Sequence, residues 1–342
     1  QKMVREFAKT EVEPLAAEID QEHRFPVETV EKMAKYGLLG IPFPTKYGGM
    51  GGDEVSYSIT VSELAKVCAS TSVIVSAHTS LCCWPIYKYG TEDQKMKYLP
   101  DLLAGKKLGA FGLTEPNAGT DASGQQTRAE LDGDEWVLNG AKCFITNGGY
   151  AEVFVVMAMT DKSKGNHGIS AFIVEKSDPG FSIGKTEDKM GICASSTTEL
   201  IFQNCRIPKD RLLGGLGKGF KVAMQTLDGG RIGIASQALG IAEGALEVTI
   251  EYMKQRKQFG KKLAQMQALQ FVVADLATKV EAAKLLVLKS AFCEDAGLPY
   301  GVPAAMAKLF AAETAMEVTT KCVQLHGGYG YTKDYPVERM MR

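Results

Sequence analysis

Histidine is scarce in this chain, with four among 342 residues. The eight cysteines form no Cys-x-x-Cys pair, so the ligand spacings of zinc sites are missing and no metal site is expected. Cys82 and Cys83 are neighbours, badly placed to bridge one another. Most of the others sit among apolar residues, where a thiol packs as a small hydrophobe. That usage points to a reducing compartment. No apolar run approaches the length of a membrane span, and no secretory leader is visible. The chain opens at Gln1 inside an amphipathic pattern, from which further residues before it are expected. A formal net charge of -1 removes the broad electrostatic footprint of a nucleic-acid binder, and no basic patch carries interleaved aromatics. The glycine-rich run 214–220 lacks P-loop spacing and its Ser/Thr. No Gly-x-Gly-x-x-Gly opens a helix after a strand, which removes a Rossmann nucleotide site. There is no internal repeat.

What is present is an ordinary globular composition, 45% hydrophobic and 23% charged, at a length suited to two or three domains. The hydrophobic period changes twice. Over 1–108 it is helical: Val4, Phe7, Ala8 and Val12 recur at three- and four-residue steps. Further helices are predicted near 27–36, 55–68 and 92–104, with Pro42 and Pro44 as helix stops before the glycine-rich turn 47–53. Over 109–213 short extended runs alternate with Gly and Asp/Asn turns, and Asn139-Gly140 reads as a hairpin turn. Over 214–342 long helical runs return at 232–255, 267–292 and 302–325, the last one ended by Gly327 and Gly328. The prediction is an α+β multidomain chain: an N-terminal α-helical domain, a middle antiparallel, barrel-like β domain without βαβ alternation, and a C-terminal four-helix-bundle domain, incomplete at its end.

Four segments carry chemistry. The first runs from Ala110 through Leu113-Thr114-Glu115-Pro116 to Gly119-Thr120-Asp121; alone it reads equally well as a polar turn. The second is Phe144-Ile145-Thr146-Asn147-Gly148. An aromatic two residues before a threonine on a strand shares its face, so the pair suits a flat ring with heteroatoms. The third runs from Lys254 to Lys262, with Met266 and Gln267 beyond it; alone it reads better as a solvated basic helix end. The fourth runs from Val323 through His326-Gly327-Gly328 to Tyr331 and on to Arg339–Arg342.

Together and in this order, these four segments resemble the signatures of the acyl-CoA dehydrogenase family, and the likeness covers essentially the whole chain. The resemblance implies FAD as cofactor and an acyl-CoA substrate oxidised at its Cα–Cβ bond. It implies an electron-transferring flavoprotein as acceptor and a homotetramer built from dimers. Cofactor contacts fall on Phe111, Leu113, Thr114, Gly119, Thr120, Phe144, Ile145 and Thr146, and, toward the FAD of a neighbouring protomer, on Arg256, Gln258, Phe259, Met266, Gln267, Gln324, Leu325, Gly327 and Gly328. Thr120 and the run Asp228, Gly229, Gly230, Arg231 would contact the CoA moiety of the substrate. That run and its surroundings look most like short-chain, butyryl-CoA members. In most of the family the catalytic base is a glutamate in a Tyr-Glu-Gly context after the stretch matching Arg339–Arg342, so here it is expected beyond Arg342. A subgroup places it where this chain has Gly230, and neither Glu115 nor Glu338 is assigned the role. Domain limits of 1–108, 109–213 and 214–342 follow, and a bacterial cytoplasm is expected, with the mitochondrial matrix as alternative. A flavin oxidase or monooxygenase on the same fold, and a non-catalytic FAD/acyl-CoA binder, remain open as rivals.

Overall fold

The computed structural model describes residues 1–342. The N-terminal part holds seven helices: α1 Lys2–Phe7, α2 Ala16–Gln21, α3 Val27–Lys35, α4 Glu54–Ala65, α5 Ala69–Ser76, α6 Trp84–Tyr89 and α7 Glu92–Leu103. Between α5 and α6 the chain widens into a π-helix, Ala77–Cys83. Starts are set by side chains: Asp53 accepts the Ser56 N–H at 2.7 Å to open α4, and Thr91 with Gln94 forms a capping box for α7. The end of α3 is not made by Pro42 or Pro44 as predicted. The chain leaves the helix at Tyr36 and turns through Gly37, at φ 69°.

The middle part is one eight-stranded sheet: β1 Gly109–Gly112, β2 Arg128–Asp132, β3 Glu135–Thr146, β4 Val153–Met159, β5 Ile169–Glu175, β6 Phe181–Thr186, β7 Thr197–Pro208 and β8 Leu212–Leu213. The order is β6-β7-β3-β2-β4-β5-β8, antiparallel except that β1 and β2 run parallel to β4. Asn139-Gly140 is not the hairpin turn. The turn lies at Gly133 (φ 62°), and Asn139-Gly140 forms a bulge inside the continuous strand β3. Gly140 has φ 145°, a Cβ there would sit 2.5 Å from Thr127 Oγ1, and the Asn139 side chain accepts the Asn204 N–H. β4 is buried on both faces. Phe154, Val156 and Ala158 face a core shared with α1–α5, while Val153, Val155 and Met157 face one shared with the π-helix, α7 and the start of the next long helix.

That helix is α8, Gly219–Gln255, followed by α9 Gln267–Asp295, α10 Gly301–Leu325 and the five-residue α11 Val337–Met341. Alanine and branched residues such as Leu239, Val280, Val287, Ala311 and Val318 form the bundle core. A two-stranded hairpin, β9 Lys257–Gln258 with β10 Lys261–Lys262, projects between α8 and α9. The Asp295 carboxylate accepts the Glu54 and Val55 N–H groups, pinning the end of α9 to the start of α4. No helix is long and apolar enough to cross a membrane.

Candidate functional site

The first two segments meet at the end of β3. The Cys143 N–H donates to Thr114 O at 2.9 Å, which lays the loop after β1 along the strand that carries Phe144 and Thr146. Leu113 and Ile145 point into the core, whereas Phe144 is 63% exposed although it is a large aromatic on a strand. The regular alternation expected to put Phe144 and Thr146 on one face is interrupted: Phe144 sits at φ 60°, the register with β7 shifts between Lys142 and Ile145, and Thr146 is half-buried. Phe111 and Thr114 are half-buried beside them, and Gly119 and Thr120 lie open at the far side of the loop.

One residue that holds this arrangement was not found from sequence. Lys142 is fully buried, and its Nζ donates to Glu115 Oε1 (2.6 Å), Gln125 Oε1 (3.0 Å) and Leu113 O (3.1 Å). The Glu115 carboxylate also accepts the Gln126 and Thr127 N–H groups. Burial pulls the Lys142 ammonium down to about 8 against the pull of Glu115. The Thr-Glu-Pro turn is thus locked to β3 from inside. The only sequence signal was a lysine at an inward position of a strand.

Asp228, Gly229, Gly230 and Arg231 lie in the first half of α8, with Asp228 and Arg231 paired to one another. Gly230 packs on the π-helix, where an added Cβ would come 2.8 Å from Leu81 Cδ2. Gly229 faces the Glu294 carboxylate, which accepts the Trp84 Nε1–H at 3.1 Å and is raised to about 7 by burial.

The third and fourth segments meet elsewhere. At the far end of α8, Arg256, Gln258, Gln324, Leu325, Gly327 and Gly328 line one cavity of about 630 Å³, together with His326 and Tyr329. Arg256 lies roughly seven turns from Gly230, about 39 Å along the helix. The cavity wall includes none of the β-domain residues named above. The Arg256 guanidinium lies 5.3 Å over the Tyr329 ring. His326, also missed from sequence, is buried and stacked on Tyr252 at 4.2 Å. Its Nδ1 lies 2.8 Å from Cys322 O and so carries the proton, which leaves Nε2 a buried acceptor without a partner. Burial lowers its pKa. Phe259, Met266 and Gln267 stand outside the cavity wall, and Phe259 is 93% exposed at the tip of the β9–β10 hairpin.

The chain matches three family descriptions in order: "Acyl-CoA dehydrogenase, N-terminal domain" over residues 1–106, "Acyl-CoA dehydrogenase, middle domain" over 110–205 and "Acyl-CoA dehydrogenase, C-terminal domain" over 217–342. A short-chain specific acyl-CoA dehydrogenase of Clostridium acetobutylicum is 62% identical over 340 residues, spanning 99% of this chain and 90% of the relative. An acryloyl-CoA reductase (NADH) of Anaerotignum propionicum is 54% identical over 343 residues, 100% of this chain and 87% of the relative. Among solved structures, butyryl-CoA dehydrogenase from Megasphaera elsdenii superposes with a TM-score of 0.98 at 53% identity, covering 99% of this chain and 90% of that one. A chain from work on the electron transferring flavoprotein of Acidaminococcus fermentans and flavin-based electron bifurcation gives a TM-score of 0.99 at 57% identity, with the same coverage.

Proposed function

The chain belongs to the acyl-CoA dehydrogenase family, and from that premise we propose that it binds FAD, dehydrogenates short-chain acyl-CoA thioesters of the butyryl class, and passes the electrons to an electron-transferring flavoprotein. The observation that carries the flavin reading is Phe144: an aromatic left 63% exposed on a strand, at positive φ, beside a loop locked in place by a buried ion pair. Such a wall suits a flat heteroaromatic ring, with the Thr146 hydroxyl two residues along the strand to bond to it.

The other end of the molecule fits the remainder of such a cofactor. The cavity near Arg256 offers a planar cation for a pyrophosphate and glycines whose added Cβ would meet nothing within 4 Å. The unpartnered His326 Nε2 adds a buried acceptor. Bound there, FAD would supply the acceptor for the β-hydride. The protein's own residues bind, orient and exclude water. Phe144 would cover the ring, Thr146 would fix its edge, and Asp228 to Arg231 with Thr120 would hold the thioester against it. Of the signature carboxylates, Glu115 is spent on Lys142 and two N–H groups, and Glu338 on Arg342. Neither is assigned the α-proton.

The lining of the Arg256 cavity includes no residue of the Phe144–Thr146 wall, and Arg256 itself lies about 39 Å along α8 from Gly230. In this reading two copies share each cofactor, the hairpin and α10 end of one meeting the β domain of the other. Exposed Phe271, Leu285, Phe292, Leu309, Phe310 and Met316 on α9 and α10 give the apolar surface for such an assembly, a homotetramer in this reading. A bacterial cytoplasmic setting belongs to the same reading, supported by the Clostridium and Megasphaera relatives.

Steady-state turnover of butyryl-CoA with an electron-transferring flavoprotein, compared with oxygen, tests the proposal. Turnover with the flavoprotein and slow peroxide formation is expected; fast peroxide formation would make the protein an oxidase. One observation favours a second reading, the 54% identity to an acryloyl-CoA reductase (NADH), for which the reductive direction would be the working one. Reduction of acryloyl-CoA outpacing butyryl-CoA oxidation would establish it.

A further inference from the structure

Asn147, the residue after Thr146, is fully buried, stands at φ 65° and has no part in the site so far. Its Nδ2 donates to Ile74 O at 3.1 Å and to Gly109 O at 3.4 Å. Ile74 lies in α5, where the helix is about to widen into the π-helix Ala77–Cys83. A helix widens where a side chain takes one of its carbonyls out of the regular ladder, and such bulges cluster at functional sites. A second buried carbonyl nearby also takes a side-chain donor: Ser80 Oγ donates to Ser76 O at 2.7 Å.

The widened segment has two consequences. It sets Leu81 on Gly230, and it sets Cys82 on Gly109, where an added Cβ would come 2.4 Å from Sγ. The same π-helix also holds the Gly109 backbone. Its N–H donates to His78 Nδ1 at 3.0 Å, so the His78 proton sits on Nε2, 3.1 Å from Leu102 O. His78 is itself a residue of the π-helix and fully buried. Gly109 opens β1, and four residues later, at Leu113, the chain enters the loop that carries Thr114 and Thr120. Three supports of the site therefore join at one glycine: the strand end with Phe144 and Thr146, the loop with Thr114, and the helix that lines Gly230.

We propose that Asn147 and His78 are positioning residues, a buried clamp on Gly109 that holds the π-helix in its wide register and so fixes Leu81–Gly230 relative to the wall Phe144–Thr146. The clamp rests on the function proposed above, which assigns that wall to flavin and Gly230 to substrate. Losing the bulge would turn the following residues by about one position, roughly 100° around the helix axis. Hydride transfer tolerates little of this, since a misplacement of about 1 Å can cost roughly 100-fold in rate.

The test compares the purified holoprotein with Asn147→Ser, His78→Gln and His78→Asn. Asparagine puts an amide oxygen near the position of Nδ1 and keeps the acceptor for Gly109; glutamine keeps the donor toward Leu102 and loses that acceptor. Trp136→Phe, a buried change elsewhere in the β domain, controls for lost stability. Asn147→Ser and His78→Gln are expected to shift the visible spectrum of the bound flavin in the absence of substrate. They should also slow its reduction by butyryl-CoA by about 10- to 100-fold, with KM nearly unchanged. His78→Asn should restore most of both, and Trp136→Phe should lower the melting temperature without moving the spectrum. Amide exchange at 77–83 reads the clamp without flavin or substrate, and should be faster in Asn147→Ser by at least about tenfold. Unchanged exchange, or a wild-type spectrum and reduction rate in Asn147→Ser, overturns the clamp. A wild-type protein that takes up no flavin overturns the functional reading instead, and leaves the exchange measurement to decide the clamp.

Discussion

Inside the β domain the fully buried Lys142 ammonium meets three oxygens, and the turn with Thr114 hangs on that meeting. Removing one partner of such a pair strands a buried charge, whereas removing both can be nearly neutral. Glu115→Leu is therefore expected to destabilise the protein by about 3–5 kcal/mol. Glu115→Leu combined with Lys142→Met should recover most of that in calorimetry. His78 gives a pH dependence at the same scale. Burial lowers its pKa from 6.5 to about 4, so the folded state excludes a proton that the unfolded chain binds. Its contribution is complete above about pH 6.5 and is lost as pH falls through that window toward 4, up to about 3 kcal/mol in all. Denaturant midpoints should drop more steeply between pH 6.5 and 4 in the wild type than in His78→Asn; equal slopes would remove His78 from the acid response.

At the scale of elements, what the sequence revealed depended on exposure. The amphipathic helices near 27–36 and 92–104 were readable because one face meets water. The stretch 69–89 gave no element, although it holds α5, the π-helix and α6, because it is buried nearly all round and Ser, Thr and Cys carry no period there. Asn139-Gly140 misled for a related reason: its positive φ is real, but tertiary pairing with β7 uses it for a bulge, and Gly133 makes the turn. Gly140→Ala should accordingly cost about 1–3 kcal/mol in unfolding experiments, since φ 145° and Thr127 both oppose a Cβ. The signature segments were legible as motifs, yet the residues that fasten them, Lys142, His78, Asn147 and His326, were not. Lys142 meets Glu115 across 27 residues, His78 meets Gly109 across 31 and Asn147 meets Ile74 across 73, distances that no local pattern encodes.

Across the whole molecule, a cofactor divided as proposed between the Phe144–Thr146 wall of one copy and the Arg256 cavity of another would make cofactor binding and assembly one process. Arg256→Ala, at the exposed helix end, should weaken FAD retention by about 10- to 100-fold, the worth of a charge-assisted hydrogen bond, without lowering the melting temperature of the apoprotein. Sedimentation of the holoprotein should show a tetramer that sheds FAD on dilution, and a stable FAD-bound monomer would contradict the shared site. The most direct measurement of the central claim is anaerobic mixing of the purified protein with butyryl-CoA while the visible flavin absorbance is followed. The account predicts a yellow protein whose flavin band bleaches on mixing and returns slowly when oxygen is admitted. A purified protein that carries no flavin, or a flavin that no acyl-CoA bleaches, would contradict it.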